Sequence, residues 1–248
     1  MANIVFHVTG WAAWSPVHAL RREWLDWAGA PLANDEEPDS KTSSVPMILR
    51  RRISPVGQKA LQAAFGLPDV GNARFVLSSR HGEFGRTLSM LTSLADGEAP
   101  SPADFSLSVH HALVGLLSIA VNNRLGHTAV AAGRESFAYG LLEAATAAAE
   151  RPQIPVVLLH FDEPLPPDYV AIDGTQEHAL ALALLIEPPS RSTSENVIIM
   201  KSSVTSGEDV PSDSLGLNFL WFLLSGAQTA GAVGDRLRWH WSRDAVQD

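Results

Sequence analysis

The segment GHTAVAAGRESFAYGLLEA, residues 126–144, holds the strand-to-helix junction on which the predicted fold depends. Thr128 to Ala132 is a run of small residues that predicts a strand, and the apolar positions that follow predict a helix from about Glu135 to Glu150. Ala131, Ala132 and Gly133 carry almost no side-chain bulk where the strand meets the helix. We therefore expect another backbone or a second subunit to approach closely at this junction.

Strands and helices alternate on both sides of this junction. Ser108 to Val121 predicts a strongly apolar helix before it, and Ile154 to Asp162 predicts a buried strand after it, because the latter is rich in valine and leucine. Further upstream, the sequence predicts a helix capped by Ser54, a strand at Arg74 to Ser78 and a helix at Gly82 to Leu94.

The two ends of the chain complete a single α/β domain over residues 1–248. Ile4 to Val8 predicts the opening strand, and the aromatic segment Trp11 to Trp27 predicts a turn and then a helix from about Pro16. The polar, proline-bounded segment 34–46 predicts a mobile loop. The later part predicts strands at His178 to Glu187 and Asn196 to Ser202 with an antiparallel finish, a helix at Leu215 to Leu224, and an edge strand in RLRWHWSR, residues 236–243.

Composition excludes several classes of function. The chain has 248 residues, 46% of them hydrophobic, and a formal net charge of −9. This acidic balance argues against a general nucleic-acid binder, which needs a basic face for phosphates. The chain has no cysteine, so disulfides, iron–sulfur ligation, thiolate zinc sites and thiol nucleophiles are excluded. The N-terminus lacks the pattern of a signal peptide and no apolar run reaches about 18 residues, so we expect a cytoplasmic protein without a membrane span.

Ser136 is the nucleophilic side chain nearest to the junction. The sequence from Gly133 to Ser136 lacks the glycines on both sides that give serine hydrolases their strained turn. A serine near the start of a helix more often bonds a free backbone amide. An open alternative is a hydrolase or acyltransferase that uses Ser136 with His111 and with Asp162, which ends a buried strand where catalytic acids of α/β folds lie.

Other candidate sites are weaker. Adjacent residues on a helix point about 100° apart, so His110 and His111 cannot both reach one ion, and we expect no metal site. No glycine-rich phosphate loop occurs, and we expect no cofactor. Arg50, Arg51 and Arg52 form the only concentrated positive charge. They fit either a solvated face or a docking site for a polyanionic partner.

Five segments together resemble the N-terminal half of the β-ketoacyl synthases, and more closely the short chain-length factors of aryl polyene and related pathways. They are NIVFHVTGWAAWSP at 3–16, RFVLSSRHGEFGRT at 74–87, SPADFSLSVHHALVGLLSIAV at 101–121, the junction itself at 126–144, and VVLLHFDEPLP at 156–166. The resemblance implies a thiolase-like layered fold with a mixed sheet and a buried central helix.

The resemblance also implies that this chain has lost the family's chemistry. In a ketosynthase the turn after the strand carries the nucleophilic cysteine, and here that position falls on Arg134 or Glu135, neither of which can hold a thioester. The HGTGT-like segment that supplies a ketosynthase with a histidine is absent. The resemblance therefore implies a non-catalytic chain-length factor.

As the resemblance implies, such a subunit forms a heterodimer, or a dimer of heterodimers, with a catalytic ketosynthase. The segment with Thr128, Ala129, Val130, Ala131, Ala132, Gly133 and Arg134 would form the interface. Phe105, Leu107, Ser108 and His111 would line or cap the partner's acyl tunnel, where their bulk limits chain growth during polyene, polyketide or fatty-acid-type elongation. Arg50, Arg51 and Arg52 would dock an acyl carrier protein transiently.

Overall fold

Eight strands form one mixed sheet in a computed structural model that describes residues 3–30, 45–173, 178–189 and 197–243. The strands lie side by side in the order β3-β2-β4-β5-β1-β6-β8-β7. β2 pairs in parallel with β3 and β4, and the other pairs are antiparallel. The bounds are β1 Ile4–Trp14, β2 Arg74–Ser78, β3 His127–Val130, β4 Val156–Asp162, β5 Leu180–Glu187, β6 Val197–Val204, β7 Thr229–Val233 and β8 Leu237–Arg243.

Helices cover both faces of this sheet. Their bounds are α1 Arg21–Ala28, α2 Met47–Arg50, α3 Pro55–Phe65, α4 Phe84–Ala95, α5 Pro102–Ser108, α6 His111–Ala120, α7 Ser136–Glu150, α8 Pro167–Asp173 and α9 Leu215–Ser225. One hydrophobic core joins α7, α9 and Trp24 to one face, and a second joins α3 and α6 to the other. The predicted mixed sheet with a buried central helix, α7, is confirmed.

α7 lies unusually close to the sheet at Gly140. A Cβ atom at this position would lie 2.6 Å from the Cβ of Ser78 on β2. That distance is far below normal van der Waals contact, so only glycine lets the helix reach this depth. The close approach positions the N-terminal end of α7 against the carboxyl ends of β2 and β4.

Several predicted elements agree with the structure. Ser54 caps α3 by accepting a hydrogen bond from the Gly57 amide at 3.0 Å. The strands predicted before and after the junction correspond to β2 and β4, and the helices predicted at Gly82 to Leu94 and Leu215 to Leu224 correspond to α4 and α9. The two later strands, β5 and β6, lie on either side of β1.

The prediction for the N-terminal aromatic segment was wrong. β1 does not turn at Trp11 but continues to Trp14, because residues 10–14 pair with β5 after an irregularity between Val8 and Gly10. No helix begins at Pro16, and α1 starts at Arg21. Residues 34–44 of the predicted mobile loop lie outside the described residues, whereas Val45 is buried.

Two further predictions need correction. The helix expected at Ser108 to Val121 corresponds to α6, which begins only at His111. Ser108 is the last residue of α5, Val109 has an extended backbone, and the two helices meet at an angle of 93°. The RLRWHWSR segment forms β8, but β8 is not an edge strand because β7 covers it. The sequence did not predict β7, because Thr229–Val233 is rich in alanine and glycine, which have low strand propensity.

Within the described residues no single helix is long and apolar enough to cross a membrane, although α5 and α6 meet those criteria as a bent pair.

We expect Gly140→Ala to lower the free energy of unfolding by about 1–3 kcal/mol, because the added methyl group overpacks against Ser78. Gly115→Ala on α6 is the matched control, since a Cβ there meets nothing within 4 Å. Alanine at Gly115 favours the helix by about 0.5–1 kcal/mol. Urea unfolding measures both variants, and equal stabilities would contradict the close packing of α7.

Candidate functional site

The junction between β3 and α7 uses its polar side chains to fix its own backbone. The Ser136 hydroxyl accepts a hydrogen bond from the Ala132 amide at 2.9 Å and donates one to the Gly133 carbonyl at 2.7 Å. Ser136 is 1% exposed. Its hydroxyl is thus buried and hydrogen-bonded to the backbone of the turn, which favours a structural role for this serine over a nucleophilic one.

Glu135 points away from the junction, towards the turn between β7 and β8. Its carboxylate accepts a hydrogen bond from the Leu237 amide at 2.8 Å and lies 3.5 Å from the Arg236 Nε. The fit is so close that a Cβ atom at Gly234 would lie 2.3 Å from a Glu135 carboxylate oxygen. Glu135 therefore ties the start of α7 to the β7–β8 hairpin.

Arg134 lines a cavity and is also paired with Asp235 of the same β7–β8 turn. Its Nε lies 3.7 Å from an Asp235 carboxylate oxygen, which makes an ion pair but is too long for a hydrogen bond. Of the two residues predicted at the nucleophile position, Arg134 is the one that reaches this cavity. A guanidinium can neither attack a thioester nor hold an acyl group.

The cavity has a volume of about 710 Å³ and opens at the carboxyl ends of β2 and β4. Its walls come from the segment after β1, from α1, from the β3–α7 junction, and from the start of α9. In α/β folds, ligands bind in the crevice outside the carboxyl ends of the parallel strands. The volume also falls within the usual range of small-molecule sites.

A buried polar cluster forms part of the cavity wall. The Nδ1 of His160 lies 3.1 Å from the Ser78 carbonyl oxygen, and its Nε2 lies 3.2 Å from an Asp162 carboxylate oxygen. The Ser78 hydroxyl oxygen also lies 3.0 Å from this Nδ1. Asp162 also accepts hydrogen bonds from the Arg80 amide at 2.7 Å and the Ser79 hydroxyl at 3.2 Å.

Asp162 is ionised in this environment. Burial acts to raise the pKa of its carboxyl group, but the charge of His160 and the hydrogen bonds from His160, Arg80 and Ser79 outweigh burial and hold that pKa below its ordinary value. The ionised Asp162 therefore accepts a hydrogen bond from His160 Nε2.

Ser78, His160 and Asp162 are arranged like a serine–histidine–acid set but cannot act as one. The Ser78 hydroxyl lies 3.0 Å from His160 Nδ1, yet Ser78 is 0% exposed. Helix α7 covers it at Gly140. No substrate carbonyl can reach this hydroxyl, so the cluster fixes the cavity wall.

The structure does not bring together the alternative set Ser136, His111 and Asp162. His111 packs against His127 at the beginning of β3, with 5.4 Å between ring centroids. Burial, followed by the charge of His111, lowers the pKa of His127. Asp162 lies at the carboxyl end of β4 and Ser136 follows the carboxyl end of β3. Because β2, β3 and β4 are parallel, His111 is at the other end of the strands.

The predicted interface residues lie along one side of the sheet. β3 is an edge strand, and Thr128, Ala129 and Val130 are all partly exposed.

The other predicted site residues lie on α5, at the junction and near α2. Phe105 is 64% exposed, and the Ser108 hydroxyl donates to the Phe105 carbonyl at 2.9 Å. Leu107 is partly buried beside His110, and Ala131 and Gly133 are exposed. Arg50, Arg51 and Arg52 are exposed around the end of α2.

The outer edge of β3 has unused main-chain groups. The Gly126 and Val130 carbonyls accept hydrogen bonds from the Phe75 and Ser79 amides of β2, at 3.3 and 3.2 Å. Main-chain groups alternate in direction along a strand. His127 and Ala129 therefore direct their amides and carbonyls away from β2, and among the described strands none pairs with this side.

Sequence reasoning missed the cavity and its wall. His160 and Asp162 are two residues apart on a strand, which places both on one face, and that spacing was the available signal. The sequence does not reveal that Arg80 and Trp24 line the cavity, because their positions depend on how distant segments pack. Within the described ranges, no group of three or more His, Asp or Glu side chains is placed to hold a metal ion.

Comparisons with known proteins relate the chain to one family. The family described as Beta-ketoacyl synthase, N-terminal domain, matches residues 24–242. In the structure of a ketosynthase, ApeO, in complex with its chain length factor, ApeC, from Xenorhabdus doucetiae, one chain is 32% identical with a TM-score of 0.81. The match covers 97% of this chain and 100% of that chain. Curated proteins give no match.

More distant structures share the fold. The ishigamide ketosynthase/chain length factor is 15% identical with a TM-score of 0.67, and the match covers 97% of this chain and 99% of that one. A β-ketoacyl synthase from Burkholderia phymatum STM815 is 13% identical with a TM-score of 0.59, and the match covers 92% of this chain and 71% of that one. The predicted thiolase-like ketosynthase fold is confirmed.

We expect Asp162→Asn to lower the free energy of unfolding by roughly 3 kcal/mol at pH 7, because it removes the buried carboxylate that accepts hydrogen bonds from His160, the Ser79 hydroxyl and the Arg80 amide. The folded-state pKa of Asp162 is below its ordinary value. Its stabilising effect is therefore complete above about pH 4 and is lost as the pH falls through the lower folded-state pKa.

Urea unfolding between neutral and acidic pH measures this effect. The difference between the wild type and Asp162→Asn should shrink below about pH 4. Asp96→Asn, which changes an exposed aspartate, serves as the control and should show little difference at any pH. A pH-independent loss in Asp162→Asn would contradict the ion pair.

Proposed function

This chain belongs to the β-ketoacyl synthase family, and from that premise we propose that it is a non-catalytic chain-length factor. In this proposal it forms a heterodimer with a catalytic β-ketoacyl synthase in the cytoplasm and shapes the acyl tunnel of that partner. The observation that carries the proposal is the β3–α7 junction. There the position that the resemblance gives to the nucleophile falls on Arg134 or Glu135, and the Ser136 hydroxyl is buried and bonded to the turn.

The free edge of β3 supports a partner that adds a strand. An exposed edge with unpaired main-chain groups is a template for pairing with another chain. Ala129, Ala131 and Ala132 keep this edge free of bulky side chains. A partner strand could therefore bond the outward amides of His127 and Ala129, and continue the sheet across the two subunits.

Apolar side chains beside this edge also favour a partner. Neither α4 nor α5 contains a buried residue, although α4 is amphipathic. The exposed side chains of α4, α5 and α6 include Leu91, Leu94, Phe105 and Ile119, and Val109 between α5 and α6 is also exposed. An exposed apolar surface of this kind is typical of protein interfaces. A partner seated on β3 would also cover these helices.

The tunnel-shaping role is assigned to α5. Phe105 is largely exposed and Ser108 is one helical turn away, bonded to its carbonyl. In a heterodimer these side chains would face the partner and close the end of its tunnel. Arg50, Arg51 and Arg52 would attract the acidic surface of an acyl carrier protein.

The pairing is tested by Ala129→Pro, which removes an outward amide that the chain itself does not use. When it is co-expressed with a catalytic ketosynthase partner, the wild type should co-purify as a stable heterodimer, and Ala129→Pro should lose most of the complex. Ala129→Ser retains the amide and should co-purify normally. Circular dichroism of the isolated variants shows whether each is folded. A full yield of heterodimer from a folded Ala129→Pro variant would contradict pairing through β3.

The tunnel role is tested by Ser108→Trp in the reconstituted complex. The added bulk should shorten the acyl products by at least one elongation step, because a longer chain would overpack the closed pocket. Ser106→Trp adds the same bulk to an exposed position on the same helix and should leave the product length unchanged. Mass spectrometry of the released products measures the result, and identical distributions for both variants would contradict the assignment.

A further inference from the structure

Helix α5, to which the tunnel role is assigned, has little buried surface to hold it in place. It has only seven residues, and none of them is buried. The neighbouring helix α4 also has no buried residue. So short a helix is unstable in water without contacts to its surroundings. The position of α5 therefore depends on specific bonds to the rest of the chain.

The guanidinium of Arg86, on α4, supplies such bonds. Its Nη1 donates to a carboxylate oxygen of Asp104, in the first turn of α5, at 2.7 Å. Its Nη2 donates to the Arg52 carbonyl at 3.0 Å, and its Nε donates to the Glu83 carboxylate at 3.0 Å. Because the donors of a guanidinium form a rigid fork, Arg86 can bond all three groups at once.

The other end of this network is anchored in the body of the protein. Glu83 is buried, and its second carboxylate oxygen accepts a hydrogen bond from the Ser54 amide at 2.7 Å. Ser54 caps α3, and α3 packs in the second hydrophobic core. A continuous set of bonds thus runs from the start of α3 through Glu83 and Arg86 to α5.

The remaining side-chain bonds of α5 are local. The Ser106 and Ser108 hydroxyls donate to carbonyl groups of α5 itself. Within the ranges that the structure describes, the Arg86–Asp104 pair is the one side-chain hydrogen bond that joins α5 to another element. Asp104 directly precedes Phe105, so a shift of this bond would move the side chains that are assigned to the tunnel.

We propose that Arg86 is a positioning residue that holds α5 at a fixed depth and thereby sets the length of the acyl products. This inference rests on the proposed tunnel role of α5. Arg86 acts through Asp104 and the side chains that follow it. Without the bond, α5 yields to a growing acyl chain instead of resisting it, so the end of the partner's tunnel recedes and longer products fit.

The positioning is measured first in the isolated full-length chain, by hydrogen exchange of the peptide that covers residues 102–108. In Asp104→Ala the amides of this peptide should exchange about threefold faster than in the wild type, because the helix loses its ion pair. Arg86→Gln should have at least the same effect. Exchange in α7 should stay as in the wild type, which shows that the fold is intact.

Asp209→Ala is the matched control. It breaks the ion pair of Asp209 with Arg238 on β8, close to the edge of the sheet that lies opposite β3. The same kind of pair is lost there, so exchange in α5 should remain that of the wild type. Unchanged exchange of α5 in Asp104→Ala, or equal acceleration in both variants, would overturn the proposal.

Product length is measured next, by mass spectrometry in the reconstituted complex with a catalytic ketosynthase. Asp104→Ala and Arg86→Gln should each lengthen the acyl products by at least one elongation step. The double variant should lengthen them no further than Arg86→Gln, because the pair is already broken. Asp209→Ala should give wild-type products. A purely structural role of Arg86 would leave product length unchanged, and that result would also overturn the proposal.

Ser108→Trp in the same complex separates this proposal from the tunnel role itself. If Ser108→Trp shortens the products while Arg86→Gln leaves them unchanged, positioning by Arg86 is wrong and the tunnel role stands. If neither variant changes the products, the tunnel role fails and this proposal fails with it.

Discussion

The buried carboxylate of Glu135 connects the two parts of the structure that matter most for its interpretation. It bonds the Leu237 amide and fits closely against Gly234, and thereby holds the start of α7 against the β7–β8 hairpin. A buried carboxylate is stable only when its hydrogen bonds are satisfied. On either side of Glu135, Arg134 lines the cavity and the Ser136 hydroxyl bonds the backbone of its own turn.

The same junction determines which surfaces remain for other molecules. Its small residues leave the outer edge of β3 uncovered, and the close approach of α7 at Gly140 buries Ser78 beyond the reach of any substrate. A turn that holds a nucleophile must expose it on a strained backbone, whereas this turn buries its one hydroxyl. The chain keeps the architecture of a β-ketoacyl synthase, and its sequence contains no thiol.

The strands and helices around the junction could be predicted because their patterns are local. Val156 to Asp162 is rich in valine and leucine, which predicts a buried strand, and Ser54 and Pro55 mark the start of a helix. The structure contains both elements. The sequence did not predict the full length of β1, because its pairing with β5 depends on residues far away in the chain. It did not predict β7 either, because alanine and glycine have weak strand propensity. The orientations of Glu135 and Arg134 depend on a hairpin about 100 residues away in the chain.

Hydrogen exchange at the amides of β3, measured in the isolated chain and in a complex with a catalytic ketosynthase, tests most directly whether the partner pairs with this edge. The amides of His127 and Ala129 should be protected strongly on complex formation, because they point outward and gain a partner strand. The Thr128 amide faces β2 and should change little. Unchanged exchange at His127 and Ala129 in a complex that has formed would contradict the claim that this edge is where the chain meets its partner.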